Sequence, residues 1–325
     1  TQVLTLFPYT TLFRSDIPGA PPVPVGVRLE QTAEGPKLSW DYQGTDPLRG
    51  FRLYRAEEDG ALTEWQKEDF VTSGIRSVVD DLAPGGVFMR YAVAAVDRDN
   101  NISSMSAELT FLNAGVLNRD VVWKQKWGTL DLYGDIQIPQ GRQLTIEPGV
   151  AVRVSSTDLM KSGIESDRIE MLVDGRLVIQ ASGSTPVKFF SGSALPTPTD
   201  WAGLRIRTAR TAAEPNLLQN LEVANARIGV LIVDTTVEAA GITAKYCETG
   251  VKMQAASGTV VTDLECEDCT TGFVAEGTLG CAAKRLTTSG GTTGISLQGN
   301  RSFAQRDFSG RETLDFVLQV RGQDT

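Results

Sequence analysis

The 325-residue sequence contains no histidine. That removes Ser-His-Asp and Cys-His nucleophilic systems, histidine general bases and histidine metal ligands together. Positive charge is also in short supply: 31 Lys and Arg stand against 40 Asp and Glu, a net charge of −9. No basic face of the kind that phosphate binding requires is available, so nucleic acid is not an expected partner. No run of about 18 apolar residues occurs, and no membrane span is visible. What is present suffices for packed cores, with 41% hydrophobic residues and 32 glycines, over a length that suggests two or three domains.

The stretch from Leu221 to Gln298 repeats itself. Leu221-Glu-Val, Ile242-Thr-Ala, Leu264-Glu-Cys and Leu286-Thr-Thr begin four similar units, spaced by 21, 22 and 22 residues. Gly229-Val-Leu-Ile, Gly250-Val-Lys-Met, Gly272-Phe-Val-Ala and Gly294-Ile-Ser-Leu keep the same 21, 22 and 22 step. A period near 22, built of short β-rich pieces without helical spacing, predicts a solenoid. At about 3.3 Å per residue a single strand cannot hold one unit in a compact section, so the chain must turn about three times per repeat.

Alternation across each strand then predicts three interior columns. The first holds Leu221, Ile242, Leu264 and Leu286, with Val223, Ala244, Cys266 and Thr288. The second holds Val230, Val251, Phe273 and Ile295, with Ile232, Met253, Ala275 and Leu297. The third holds Val237, Val260, Cys281 and Phe303. A last, degraded coil is expected at Phe308, with Phe316 and Leu318 in its second strand. On the outside, Arg227 with Glu248 and Lys245 with Glu267 fall on shared rungs, placing opposite charges about 4.8 Å apart. The pattern is that of a right-handed parallel β-helix.

Near the start, Leu6-Phe-Pro-Tyr-Thr-Thr-Leu-Phe-Arg-Ser15 resembles the conceptual translation of a common sequencing-adapter oligonucleotide. Residues 1–15 are read as an artefact. On that reading the true amino terminus is missing, and the lack of a signal peptide says nothing about secretion. The alternative, a short natural apolar leader, lacks a basic n-region and a small-residue cleavage site.

Residues 16–112 alternate as short strands between Gly, Asp and Pro turns, which predicts a β-sandwich. Leu38-Ser-Trp40, Gly50-Phe-Arg-Leu-Tyr-Arg55 and Asp81-Leu-Ala-Pro-Gly85 with Tyr91-Ala-Val-Ala-Ala-Val-Asp97 resemble the second, third and sixth strands of a fibronectin type III domain. The family's corner tyrosine falls here on Phe88 or Met89, neither of which can donate, so packing alone is expected to hold that corner. No Arg-Gly-Asp tripeptide supports an integrin reading, and a spacer role is implied. Trp40 is expected in the core and Trp65, on an acidic stretch, near the surface.

Residues 113–120 are read as a linker and 121–325 as the β-helix. Gly134-Asp-Ile and Leu144-Thr-Ile-Glu-Pro-Gly-Val resemble the opening coils of bacterial right-handed parallel β-helix repeat proteins. Val173-Asp-Gly-Arg-Leu, Pro186-Val-Lys-Phe-Phe-Ser and Trp201-Ala-Gly-Leu resemble the coils that follow, with Ala202 where that family usually has glycine. Trp123 and Trp127 would plug the end of the solenoid. The resemblance implies an extracellular or cell-surface bacterial protein, in a fold shared with pectin-degrading enzymes. Segments 155–168, 191–200 and 208–219 break the coil rhythm and are expected to bulge as loops, where binding usually sits.

For chemistry, a lyase of this fold would abstract a proton with Arg or Lys while carboxylates hold calcium. Arg205 and Arg207 are the catalytic candidates, with Asp174 and Glu170 nearby. A hydrolase needs paired carboxylates on adjacent turns, yet the only adjacent aspartates, Asp80 and Asp81, lie in the sandwich. Asp263, Glu265, Glu267 and Asp268 form the densest acidic run, a solvated strand face or a weak calcium site. Cys266-Glu-Asp-Cys269 has zinc-like spacing, but Cys266 belongs to an interior rung and Cys281 to another face, so four sulfurs cannot converge. Cys247 and Cys269 stack in successive coils as buried thiols or as a disulfide.

The expected function is a structural or binding scaffold with a polysaccharide or cell-surface component as partner and no cofactor beyond calcium. A polysaccharide lyase or glycoside hydrolase is the enzyme rival, and an adhesin the third class.

Overall fold

The computed structural model describes residues 19–299 apart from 46, 66–70 and 208–214, and beyond them the strands Ser302–Arg311 and Gln319–Arg321. The adapter-like residues 1–15 and the expected coil residues Phe316 and Leu318 lie outside it. The described chain is all-β apart from one 3-10 turn, Gln125–Trp127. It forms two compact units. One comprises the residues up to Glu30 with Lys37–Asp80 and Met89–Thr110, and the other comprises Gln31–Pro36, Asp81–Phe88 and the chain from Phe111 onward.

The first unit is a β-sandwich. Val25–Thr32, Gly35–Asp41 and Ser77–Val79 make a three-stranded sheet. Thr63–Glu64, Leu48–Glu57, Phe88–Asp97 and Leu109–Leu112 follow one another in the second, with Val71–Thr72 also paired to Leu48–Glu57. The inner faces meet where the Trp40 indole stands edge-on to Phe51 at 5.2 Å between ring centres. Trp40 lies in the core as expected.

Two sequence expectations fail in this unit. Trp65 is 2% exposed, not superficial. Its backbone N–H donates to the Leu53 carbonyl at 2.9 Å, which turns the indole inward to stand edge-on to Tyr91, with the Arg55 guanidinium over its ring at 5.7 Å. Nor is packing alone at work around the corner, where residues on either side of it bond. Tyr91 Oη donates to Asp80 Oδ2 at 2.9 Å, and Arg55 Nη1 donates to both Asp80 oxygens at 2.8 Å. A hydroxyl lock therefore exists, supplied by a different tyrosine and closed on a carboxylate.

The second unit is a parallel β-solenoid. One sheet runs through eight coils from Val121–Trp123 to Ser302–Arg311, every pairing parallel, and a nine-stranded sheet, ending with Gln319–Arg321, covers another side. In the early coils the third side consists of separate strands, Thr129–Leu132, Ala151–Val154 and Val187–Ser191. From Asn216–Ala224 onward two sides fuse into one long strand bent at its middle. Within the expected linker, Gly115–Val116 pairs with Ile136–Gln137 and extends the nine-stranded sheet.

The bends explain the period. Asn220, Gly241, Asp263 and Arg285 have φ of 54, 68, 53 and 51°, a left-handed conformation that turns the chain within one residue. A second corner falls at Asn225, Tyr246, Asp268 and Gly290, and a third at Asp234, Ala255, Gly277 and Gly299, all with positive φ. Each series steps by 21, 22 and 22 residues, matching the sequence landmarks. Arg285 is the least suited of these residues to its φ, and its Nη2 pairs with Asp263 Oδ2, the corner one coil earlier, at 2.6 Å. The glycine landmark has another cause, since a Cβ on Gly250 would come within 2.6 Å of the Gly272 carbonyl and 2.8 Å of Cys266 Sγ.

The interior columns stack as predicted at two of three sides. Leu221, Ile242, Leu264, Leu286 and Phe308 are successive register partners. Val230, Val251, Phe273 and Ile295 form the second column. In the third, Val260 is a correction. It pairs with Glu238 and Ala282 on the outer side and is 38% exposed, while Thr259 sits inside between Val237 and Cys281. The buried threonine is tolerated because its Oγ1 accepts the Val237 N–H at 3.2 Å and donates to the Thr235 carbonyl at 3.1 Å. A slip of one residue had exchanged the two faces.

Outside, Lys245 Nζ meets Glu267 at 2.9 Å and Lys188 Nζ meets Glu222 at 2.9 Å. Such half-exposed pairs contribute under about 1 kcal/mol each. Arg227 and Glu248 share a rung as expected, while the Arg227 guanidinium pairs with Glu165. At the start of the solenoid Trp123 is buried and its Nε1 donates to the Gly86 carbonyl at 2.8 Å, and Phe88 stacks on Trp127 at 4.6 Å.

Candidate functional site

The outer side of the nine-stranded sheet gathers the charged groups that sequence pointed to. Leu204 and Ile206 fill the coil, so Arg205 and Arg207 between and after them project outward. Arg207 Nη2 lies 2.7 Å from Asp174 Oδ2. Arg205 Nη2 lies 2.7 Å from Glu165 Oε1, with its Nε 3.5 Å from Glu170 Oε2. Arg227, in the following coil, donates to the same Glu165 oxygen.

Loop 155–168 supplies Glu165, and its own chemistry shapes it. Thr157 N–H donates to Ser155 Oγ at 3.1 Å and Met160 N–H to Asp158 Oδ1 at 2.9 Å, two side-chain turns of the kind Ser and Asp favour. The loop then lies along the coil. Ser162 Oγ donates to Asp135 Oδ2 at 2.6 Å, and the Ile164 and Glu165 N–H groups both donate to Glu170 Oε1. Gly163 has φ of 77°, and a Cβ there would collide with Glu170 Oε1.

Asp135 and Glu170 are neighbours in successive coils, joined by the Glu170 N–H donating to Asp135 Oδ1 at 2.8 Å. This is a carboxylate pair on adjacent turns that sequence reasoning missed. The two residues are 1% and 0% exposed, so no substrate reaches them with the loop in place. Burial, aided by Asp158 and Glu170, pushes the Asp135 carboxyl up to about 7, against the opposing hydrogen bonds from Ser162 and the Glu170 N–H. The signal for Asp135 was present in the Gly134-Asp-Ile motif. For Glu165 there was only the polar character of its loop.

The remaining candidates lie apart from this cluster. Asp263 pairs with Arg285 and Glu267 with Lys245, while Glu265 stands between Thr243 and Thr287 in its rung. Among the described residues no three or more His, Cys, Asp or Glu side chains are placed so that they could hold a metal ion. Cys266 lies on the interior rung of Ala244 and Thr288, and Cys281 Sγ donates to the Ala256 carbonyl at 3.3 Å on another side.

All four cysteines are buried free thiols. A hydrogen bond with Cys269 and burial hold the Cys247 thiol protonated, and burial does the same for Cys266. Native protein is accordingly expected to resist a thiol-alkylating reagent, and four sulfurs to react once it is unfolded without reductant. Mass spectrometry showing only two reactive sulfurs after unfolding would mean that Cys247 and Cys269 are joined.

Fold and register thus define a parallel β-solenoid protein with a β-sandwich unit. No protein-family model and no curated protein matches the sequence. Among solved structures, a family 28 exopolygalacturonase from Yersinia enterocolitica is similar at 10% identity, covering 89% of this chain and 86% of that one, with a TM-score of 0.32. A pectate lyase from Pectobacterium carotovorum is similar at 11% identity over 85% of this chain and 86% of that one, with a TM-score of 0.24. The fourth fibronectin type III domain of a human protein is similar at 19% identity over 31% of this chain and 85% of that one, with a TM-score of 0.25. Within the described residues no helix is long and apolar enough to cross a membrane.

Proposed function

We propose that this chain is a bacterial extracellular or cell-surface scaffold, in which a fibronectin type III-like spacer carries a right-handed β-helix that binds carbohydrate without turning it over. A polar groove of ≈ 330 Å³ on the late coils of the nine-stranded sheet carries the reading, with Lys252, Thr271, Glu276, Thr293, Ser296 and Gln298 among its lining residues. Thr249, Thr271 and Thr293 are register partners in three successive coils. Hydroxyl, amide and charged groups therefore recur about every 4.8 Å along the solenoid. A polymer that repeats hydroxyl groups along its own length suits such a surface.

The enzyme reading has one observation in its favour: Arg205 and Arg207 stand on this same sheet beside carboxylates. Those carboxylates also argue against it, because a proton-abstracting arginine needs an accessible, unpaired guanidinium, whereas Arg205 is held by Glu165 and Arg207 by Asp174. Affinity electrophoresis against acidic and neutral polysaccharides, with and without calcium, tests the proposal. Retardation by at least one polysaccharide is expected, weakened about tenfold when Thr271, Ser296 and Gln298 are changed together to alanine. New unsaturated or reducing ends, abolished by Arg205→Ala or Arg207→Ala, would replace the scaffold reading with a lyase or hydrolase. Capture of a partner protein with no retardation by any polysaccharide would point to an adhesin.

A further inference from the structure

Loop 155–168 is fastened by carboxyl groups carrying more negative charge than their surroundings neutralise. Four acids, Asp135, Asp158, Glu165 and Glu170, meet two guanidiniums, Arg205 and Arg227. Arg168, the other cation of the loop's end, turns instead to Asp167 and the Thr199 carbonyl. Asp158 is 4% exposed and Glu170 0%, and each has one buried oxygen, Oδ2 and Oε2, without a hydrogen-bond partner, as does Glu165 at Oε2. Negative charge placed among these groups away from water is costly, and Asp135, raised by burial beside Asp158 and Glu170, is the member that relieves it by keeping a proton.

The packing brings two of these carboxyls together. Asp135 Oδ2 and Glu170 Oε1 both crowd the point where Gly163 would carry a Cβ, so two carboxyls from successive coils converge under one loop residue. The same two groups are the loop's anchors, taking the hydrogen bonds of Ser162, Ile164 and Glu165. We propose that loop 155–168 is a proton-latched strap: with a proton retained on Asp135 it stays closed over Arg205 and Arg227, and loss of that proton to solvent opens it.

The elevated Asp135 value agrees in sign. Its carboxyl is raised from the ordinary range to about 7, so the closed strap has its full advantage below about pH 4 and loses it as pH rises through about 7. Opening would free the two guanidiniums from Glu165 and uncover the part of the sheet face they occupy. The inference concerns the outer face assigned above to ligand binding, yet neither its evidence nor its test involves a ligand, so either can fail alone.

Hydrogen-exchange protection factors, which divide out the intrinsic pH dependence of exchange, test it at the Ile164 and Glu165 amides. On going from pH 5.5 to 8.5 protection in the unmodified chain is expected to fall by about tenfold or more. Asp135→Asn, a neutral isostere, is expected to remove most of that dependence while circular dichroism confirms the folded solenoid. If that variant does not fold, Ser162→Ala serves. It deletes one of the strap's anchors, which lowers protection at both pH values, and because that bond favours the ionised carboxyl the fall from pH 5.5 to 8.5 should be larger than in the unmodified chain. Equal protection at both pH values in the unmodified chain would overturn the proposal, as would a full pH dependence surviving in folded Asp135→Asn or a fall in Ser162→Ala no larger than in the unmodified chain.

Discussion

Leu264→Ala is expected to lower the unfolding free energy of the solenoid by about 3 kcal/mol, while Val260→Ala, four positions earlier, costs less than about 0.5 kcal/mol. Leu264 sits in the column between Ile242 and Leu286 and is 1% exposed. Removing its isobutyl group leaves a void that coils above and below cannot close, because their backbones are tied by parallel hydrogen bonds in both directions. Val260 faces outward on the rung of Glu238 and Ala282, where truncation removes little buried area. Denaturant midpoints followed by the fluorescence of Trp201, which is buried in this unit, would read both changes. Equal costs for the two would mean that the register between coils is displaced.

The second large effect belongs to the sandwich. Asp80 is 1% exposed and accepts two hydrogen bonds from Arg55 and one from Tyr91. Asp80→Ala is expected to cost about 3 kcal/mol, because Arg55 is left without its counter-charge and Tyr91 keeps a buried hydroxyl with no acceptor. Tyr91→Phe should cost only about 1 kcal/mol, since the Arg55–Asp80 pair survives. Fluorescence of Trp40 and Trp65 reports on this unit. A cost for Asp80→Ala no greater than that of Tyr91→Phe would show the ion pair to be dispensable.

These two residues mark different degrees of legibility. Leu264 could be placed from sequence because a repeat states one geometric fact four times over, and agreement between the leucine and glycine landmarks removes the ambiguity of any single strand. Val260 was misplaced where that redundancy was weakest. Both Val260 and Val261 are apolar, and a threonine in the interior column looks like a surface residue until its hydroxyl is seen to bond the Val237 and Thr235 backbone. Asp80 could be read only as one of two adjacent aspartates. Its partners, Arg55 and Tyr91, lie 25 and 11 positions away on other strands. Trp65 was misread for the same reason, because the acidic residues beside it in sequence say nothing of the Tyr91 ring it meets.

The charged cluster shows the limit most clearly. Arg205 and Glu170 were legible as an outward arginine and a nearby acid because both belong to regular strands. Glu165 and Ser162 belong to a loop, and no periodicity says where a loop returns. The sequence by itself determined the number of turns per repeat, two of the three inward columns and the want of histidine chemistry, since each follows from spacing or composition along the chain. Only the tertiary structure decided which acids face which cations and which of them are sealed from water. Those pairings join residues up to 62 positions apart, brought together by how the loop lies on the coils.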